Sequence, residues 1–100
     1  MAKKKINTKE HNNFVKQIRI ELKEGYPDIA VMDGYDDCII GVCTRFGQEP
    51  IVAYDRRAIL ERHMRDGMSY EEAIEFFDFN QIGAWVGERT PCFIDRLPSE

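Results

Sequence analysis

Three aspartates, Asp33, Asp36 and Asp37, crowd into the stretch Asp33-Gly34-Tyr35-Asp36-Asp37, just ahead of the most β-prone run in the chain. Carboxylate oxygens at that density are the donor set of a hard cation, and a Mg²⁺ ion held there would assist phosphate-ester chemistry. The spacing is not that of an EF-hand loop, and no P-loop or zincin pattern accompanies it. The simpler reading is a turn at Asp33-Gly34, with Asp36 and Asp37 as a solvated strand entrance. On that reading no metal and no cofactor is assigned.

Other reactive side chains are similarly dispersed. Arg56 and Arg57 fall in the first turn of an expected helix, where the backbone already carries partial positive charge. An anion would relieve that conflict, either a bound phosphate or a carboxylate of Asp36 or Asp37 folding back. Trp85, between Gly83 and Gly87, offers a stacking face in a glycine-flanked loop, as a nucleotide base would need. No strand-GxGxxG-helix pattern surrounds it, and packing beside Phe93 is the plainer role. His11 and His63 are the only imidazoles, and neither has a Ser or Cys placed as a nucleophile. Both fall on apolar helical faces and read as packed, hydrogen-bonded residues. No catalytic residue is assigned.

Cysteine usage points to a reducing, cytoplasmic compartment. Cys38, Cys43 and Cys92 are odd in number and lack metal-ligand spacing, so buried free thiols are expected. Lys3, Lys4 and Lys5 are followed by no apolar segment of signal-peptide form, and no run is long enough to span a bilayer.

Charge is split along the chain. Residues 1–24 carry seven basic and three acidic groups, and residues 25–100 carry seven basic and fifteen acidic. An acidic body repels phosphate backbones, which leaves only the lysine-rich N-terminus as a nucleic-acid contact.

The elements that must position these groups follow from periodicity. One hundred residues at 43% apolar content suffice for a single packed α+β domain. Phe14, Val15, Ile18 and Leu22 recur at helical spacing after an Asn7–Glu10 capping pair, which gives a helix over 8–24. Ile29–Met32 is a short extended candidate. The run 37–46 reads as a central strand apolar on both faces, joined through Phe46-Gly47-Gln48-Glu49 to a second strand over 50–54. Asp55 caps a helix over 55–66 with Ile59, Leu60, His63 and Met64 on one side. Ser69-x-x-Glu72 is a capping box for a third helix over 69–81, whose core stripe is Tyr70, Ala73, Ile74 and Phe77. The expected architecture is a small antiparallel sheet built on the 37–46/50–54 hairpin and packed against those three helices. Residues 29–32 and 91–94 are the candidates for further strands. Residues 1–6 and 96–100 are expected to be loose.

Phe76 and Phe79 lie off the core stripe of the third helix. They need a second cover, from the C-terminal segment, another copy or a partner.

The segments Asp66-Gly67-Met68-Ser69-Tyr70-Glu71-Glu72-Ala73, Phe79-Asn80 and Gly83-Ala84-Trp85-Val86-Gly87-Glu88-Arg89-Thr90-Pro91, together with Asp33–Asp37 and Tyr54-Asp55, resemble small uncharacterised proteins of bacteriophages, prophages and some bacterial genomes. The resemblance spans roughly residues 30–95. It implies a phage-type setting and a compact α+β fold, and it brings no activity or catalytic residue. The resulting expectation is a non-enzymatic binding or inhibitor protein in host takeover or anti-defence. It would act through a protein surface containing Phe76 and Phe79, as a homo-oligomer. The alternative is a nucleotide-sequestering protein or weak metal-dependent phosphoesterase built on Trp85, Arg56, Arg57 and the three aspartates.

Overall fold

The structure, a computed structural model, describes residues 8–82 and 87–98. Helix α1 spans Thr8–Gly25, as its apolar spacing requires; the capping residue Asn7 lies outside the described residues. The helix closes through Tyr26 N–H on the Leu22 carbonyl (2.7 Å), ahead of Pro27. A turn at Asp33-Gly34 follows, with Gly34 at φ +86°, a conformation that glycine adopts at little cost.

Strands β1 (Ile39–Cys43) and β2 (Ile51–Asp55) form the hairpin expected near 37–54, paired antiparallel. Its entrance is tighter than a continuous strand over 37–46, because Asp36–Cys38 coil into one 3₁₀ turn. Helix α2 (Arg56–Arg65) begins on Asp55, whose carboxylate accepts from the N–H groups of Arg57 (3.1 Å) and Ala58 (3.4 Å). It ends at Gly67, where the Met68 and Gly67 N–H groups reach the His63 and Met64 carbonyls. Helix α3 (Tyr70–Phe77) opens on the expected capping box, Ser69 and Glu72 each accepting from the other's backbone N–H.

Four features depart from the sequence reading. The sheet is mixed and not wholly antiparallel: its order is β1-β2-β3, and β3 (Cys92–Ile94) runs parallel to β2. A parallel neighbour needs a long crossover, and α2, α3 and the turn after them supply it. Second, the central strand is β2, with Ile51, Val52, Ala53 and Tyr54 all buried, while β1 is an edge.

Third, residues 29–32 add no strand. Ile29, Val31 and Met32 pack on the core, and the Met32 N–H donates to the Tyr54 hydroxyl (2.7 Å) in place of a ladder partner. Fourth, α3 stops at Phe77, and Asp78–Ile82 widen into a π-helical turn. The wider turn places the buried Gln81 amide against the buried ring of His63 (Nε2 to Oε1, 3.3 Å). Asn80 Nδ2 donates to the Phe76 carbonyl near the end of α3.

The core gathers Leu22, Cys38, Ile39, Val52, Tyr54, Ile59, Leu60, Ala73 and Phe77. Tyr54 stacks on Phe93 (5.9 Å between centroids), and Phe77 meets Phe93 edge-on (4.9 Å). The opposite face of the sheet carries Cys43, Ile51, Ala53 and Cys92, as their pairing requires.

Four residues expected inside are exposed: His11, Phe14, Met64 and Tyr70. For Phe14 the cause is visible. Helix α1 packs chiefly on the Asp36–Cys38 turn, and of its described side chains only Leu22 is buried, so its apolar stripe is longer than the surface meeting it.

All three cysteines are free thiols. Burial, reinforced by the Asp37 carboxylate, pushes the Cys38 thiol from 9.0 up to about 12. An unfolded thiol loses its proton near pH 9 while the folded one keeps it, so stability is intact below pH 9 and falls as pH rises toward 12. The slope is at most about 1.4 kcal/mol per pH unit. Cys38→Ala is expected to flatten the fall in urea midpoint between about pH 8 and about pH 11, with Tyr54, also pushed up by burial, supplying the remainder. An undiminished slope would show that Cys38 is not the group responsible.

Candidate binding surface

The β1 edge is the least protected part of the sheet. β1 pairs with β2 alone, so alternate residues of Ile39–Cys43 direct N–H and C=O outward, and no strand among the described residues takes them. Edge strands are normally blunted by brevity, charge, proline or a bulge. The other edge, β3, is three residues long, preceded by Pro91 and followed by Asp95 and Arg96. β1 has five residues with no charge and no proline; its one guard is an irregularity between Ile39 and Gly41, after which Gly41–Cys43 pair regularly.

Beside this edge runs a groove of about 580 Å³. One wall is α1, through Phe14, Ile18 and Leu22, with Tyr26 just past its end, and the other is β1 from Ile39 to Val42. Phe14 is 59% exposed, and Tyr26 and Ile40 are also exposed. Glu21, Asp37, Asp55 and Arg96 also stand among the lining residues, so charges of both signs border the apolar floor.

Phe46 stands at the tip of the hairpin, fully exposed. It is carried on the turn closed by Gln48 N–H on the Arg45 carbonyl (3.2 Å). Its exposure was available from sequence, since an aromatic at a hairpin tip has nothing to fold onto. The groove was not, because it depends on how little of α1 the turn beneath it covers.

Asp36 and Asp37 keep some contact with solvent at the strand entrance, and both are also paired with cationic side chains. Asp36 is gripped by both ends of the Arg19 guanidinium (Nε 3.0 Å, Nη2 2.9 Å). Asp37 faces Arg62 (3.6 Å) and the His11 ring (4.0 Å), and Arg62 also donates to the Gly34 carbonyl and lies over the Tyr35 ring (4.6 Å). Guanidinium groups stand where a cation would, and Asp33 remains exposed in its turn. Among the described residues no three His, Cys, Asp or Glu side chains converge in a metal-binding arrangement.

The first-turn arginines of α2 are met by carboxylates, but not those of Asp36 or Asp37. Arg56 reaches Asp95 (3.5 Å) and lies over the Phe77 ring (5.3 Å), and Arg57 pairs with Glu61 (3.4 Å). Arg96 in turn reaches Asp55 (3.2 Å). These reciprocal pairs hold the exit of β3 against the β2–α2 junction, and Arg96, the first residue of the segment expected to be loose, takes part in them.

His63 is a packed core histidine, edge-on to Tyr35 (6.0 Å) and Phe76 (4.8 Å). His11, expected on the apolar stripe, instead has a half-exposed ring beside Asp37. Phe76, 38% exposed, has found partial cover on His63, whereas Phe79 is 81% exposed. Trp85 lies outside the described residues. Among those residues no helix is long and apolar enough to cross a membrane.

Comparison with protein-family models, curated proteins and solved structures gives no match.

Proposed function

We propose that this chain is a non-enzymatic protein that acts by contact, docking protein along the β1 edge and the α1–β1 groove and working as a homo-oligomer. The observation that carries this reading is an uncharged strand edge open beside an apolar groove, where main-chain pairing supplies affinity and the groove supplies side-chain selectivity. The pairing-off of the ionisable groups supports it: Asp36 with Arg19, Asp37 with Arg62, Arg56 with Asp95 and Arg57 with Glu61. The likeness to phage and prophage proteins supplies a setting, a small factor in the host cytoplasm that captures a protein during host takeover or anti-defence.

A nucleotide-sequestering protein or phosphoesterase would be stabilised by its ligand. Thermal melting with millimolar nucleotides, with and without Mg²⁺, separates the two classes. The expected shift is under about 1 °C for each ligand. A rise of several degrees with any one of them would replace the contact reading by the nucleotide one.

A further inference from the structure

We infer that the occupant of the α1–β1 groove is the β1–β2 hairpin of a second copy of this chain, the two β1 edges pairing antiparallel about a two-fold axis near Gly41. This rests on the reading of the groove as a protein-docking surface and adds the identity of what docks.

Antiparallel pairing sends the hairpin tip of each copy past the start of the other copy's β1. At about 3.3 Å per residue, Phe46 reaches roughly 17 Å from an axis at Gly41, beyond Ile39 and level with the turn that α1 covers. There the fully exposed Phe46 ring meets the apolar wall of Phe14 and Ile18.

Each copy thus carries both halves of the fit, an aromatic knob and an apolar groove. A two-fold interface requires such self-complementarity. Pairing would join the two sheets into one of six strands, remove both β1 edges from solvent and leave Phe79 outside the interface.

Sedimentation velocity on the full chain tests this. The mass is expected to move from one chain to two between about 1 and about 200 μM, the affinity range of a small interface. Phe46→Ser and Phe14→Ser alter exposed residues on the two halves of the fit and are each expected to weaken the dimer at least about tenfold. Phe79→Ser is expected to leave it unchanged. A monomer throughout the range overturns the inference, as does a dimer indifferent to Phe46→Ser and Phe14→Ser, or one dissolved by Phe79→Ser. A monomer would also remove the homo-oligomer from the proposed function while leaving the groove available to another protein. The docking reading itself fails separately, if the outer edge of β1 proves shielded in the single chain.

Discussion

Phe77→Ala is expected to cost about 3–5 kcal/mol, the range for truncating a buried phenylalanine. Phe77 has no exposed surface, meets Phe93 edge-on at 4.9 Å and has the Arg56 guanidinium over its ring. Phe93 in turn stacks on Tyr54, so the aromatic chain running from α3 through β3 to the central strand loses its first link. A domain of this size has only about 5–15 kcal/mol in total. The melting temperature should therefore fall by about 15–30 °C. Phe79→Ala, two residues along, removes an 81% exposed ring and should change stability by less than about 0.5 kcal/mol. Thermal melts of the two variants decide this, and similar losses would contradict the placement of α3.

Tyr54→Phe is the second large effect. It leaves the volume of the central strand nearly unchanged, but removes the hydroxyl that accepts from the Met32 N–H at 2.7 Å. Leaving that half-buried amide without its partner costs about 1–3 kcal/mol. Urea midpoints measure the loss, and amide exchange at Met32 locates it. The Met32 amide should exchange faster in the variant while the β2 amides keep their order of protection. A variant as stable as wild type would mean that the 29–32 segment finds another acceptor.

The parts of the fold legible in sequence were those fixed by local rules. The Ser69–Glu72 box, the Asp55 cap and the glycine stop at Gly67 each depend on chemistry within a few residues, and each lies where expected. Strand order was not local. The 37–46 run looks more β-prone than 50–54, yet β2 becomes central because the crossover returns β3 to its free side. The end of α3 was illegible for a similar reason: the π-helical turn places Gln81 against His63, eighteen residues earlier.

The candidate site divides in the same way. A conflict of charge at Arg56 and Arg57 was readable, but the carboxylates that meet them are those of Asp95 and Glu61, not Asp36 or Asp37. Phe76 and Phe79 were correctly placed off the core stripe; that His63 half-covers one and not the other required the tertiary contact. Phe14 was assigned to the core because helical spacing gives the direction of a side chain and not the extent of what lies opposite. The groove at the centre of the functional proposal exists because that opposite surface runs out.

Hydrogen exchange of the Ile39–Cys43 segment, read by mass spectrometry in protein dilute enough to be a single chain, tests the proposed docking edge most directly. About half of its amides should exchange at nearly the unprotected rate, because alternate residues face outward, while the rest match β2. Uniformly slow exchange across the segment would mean that the edge is closed by the chain itself, and the surface proposed to receive a partner would not exist.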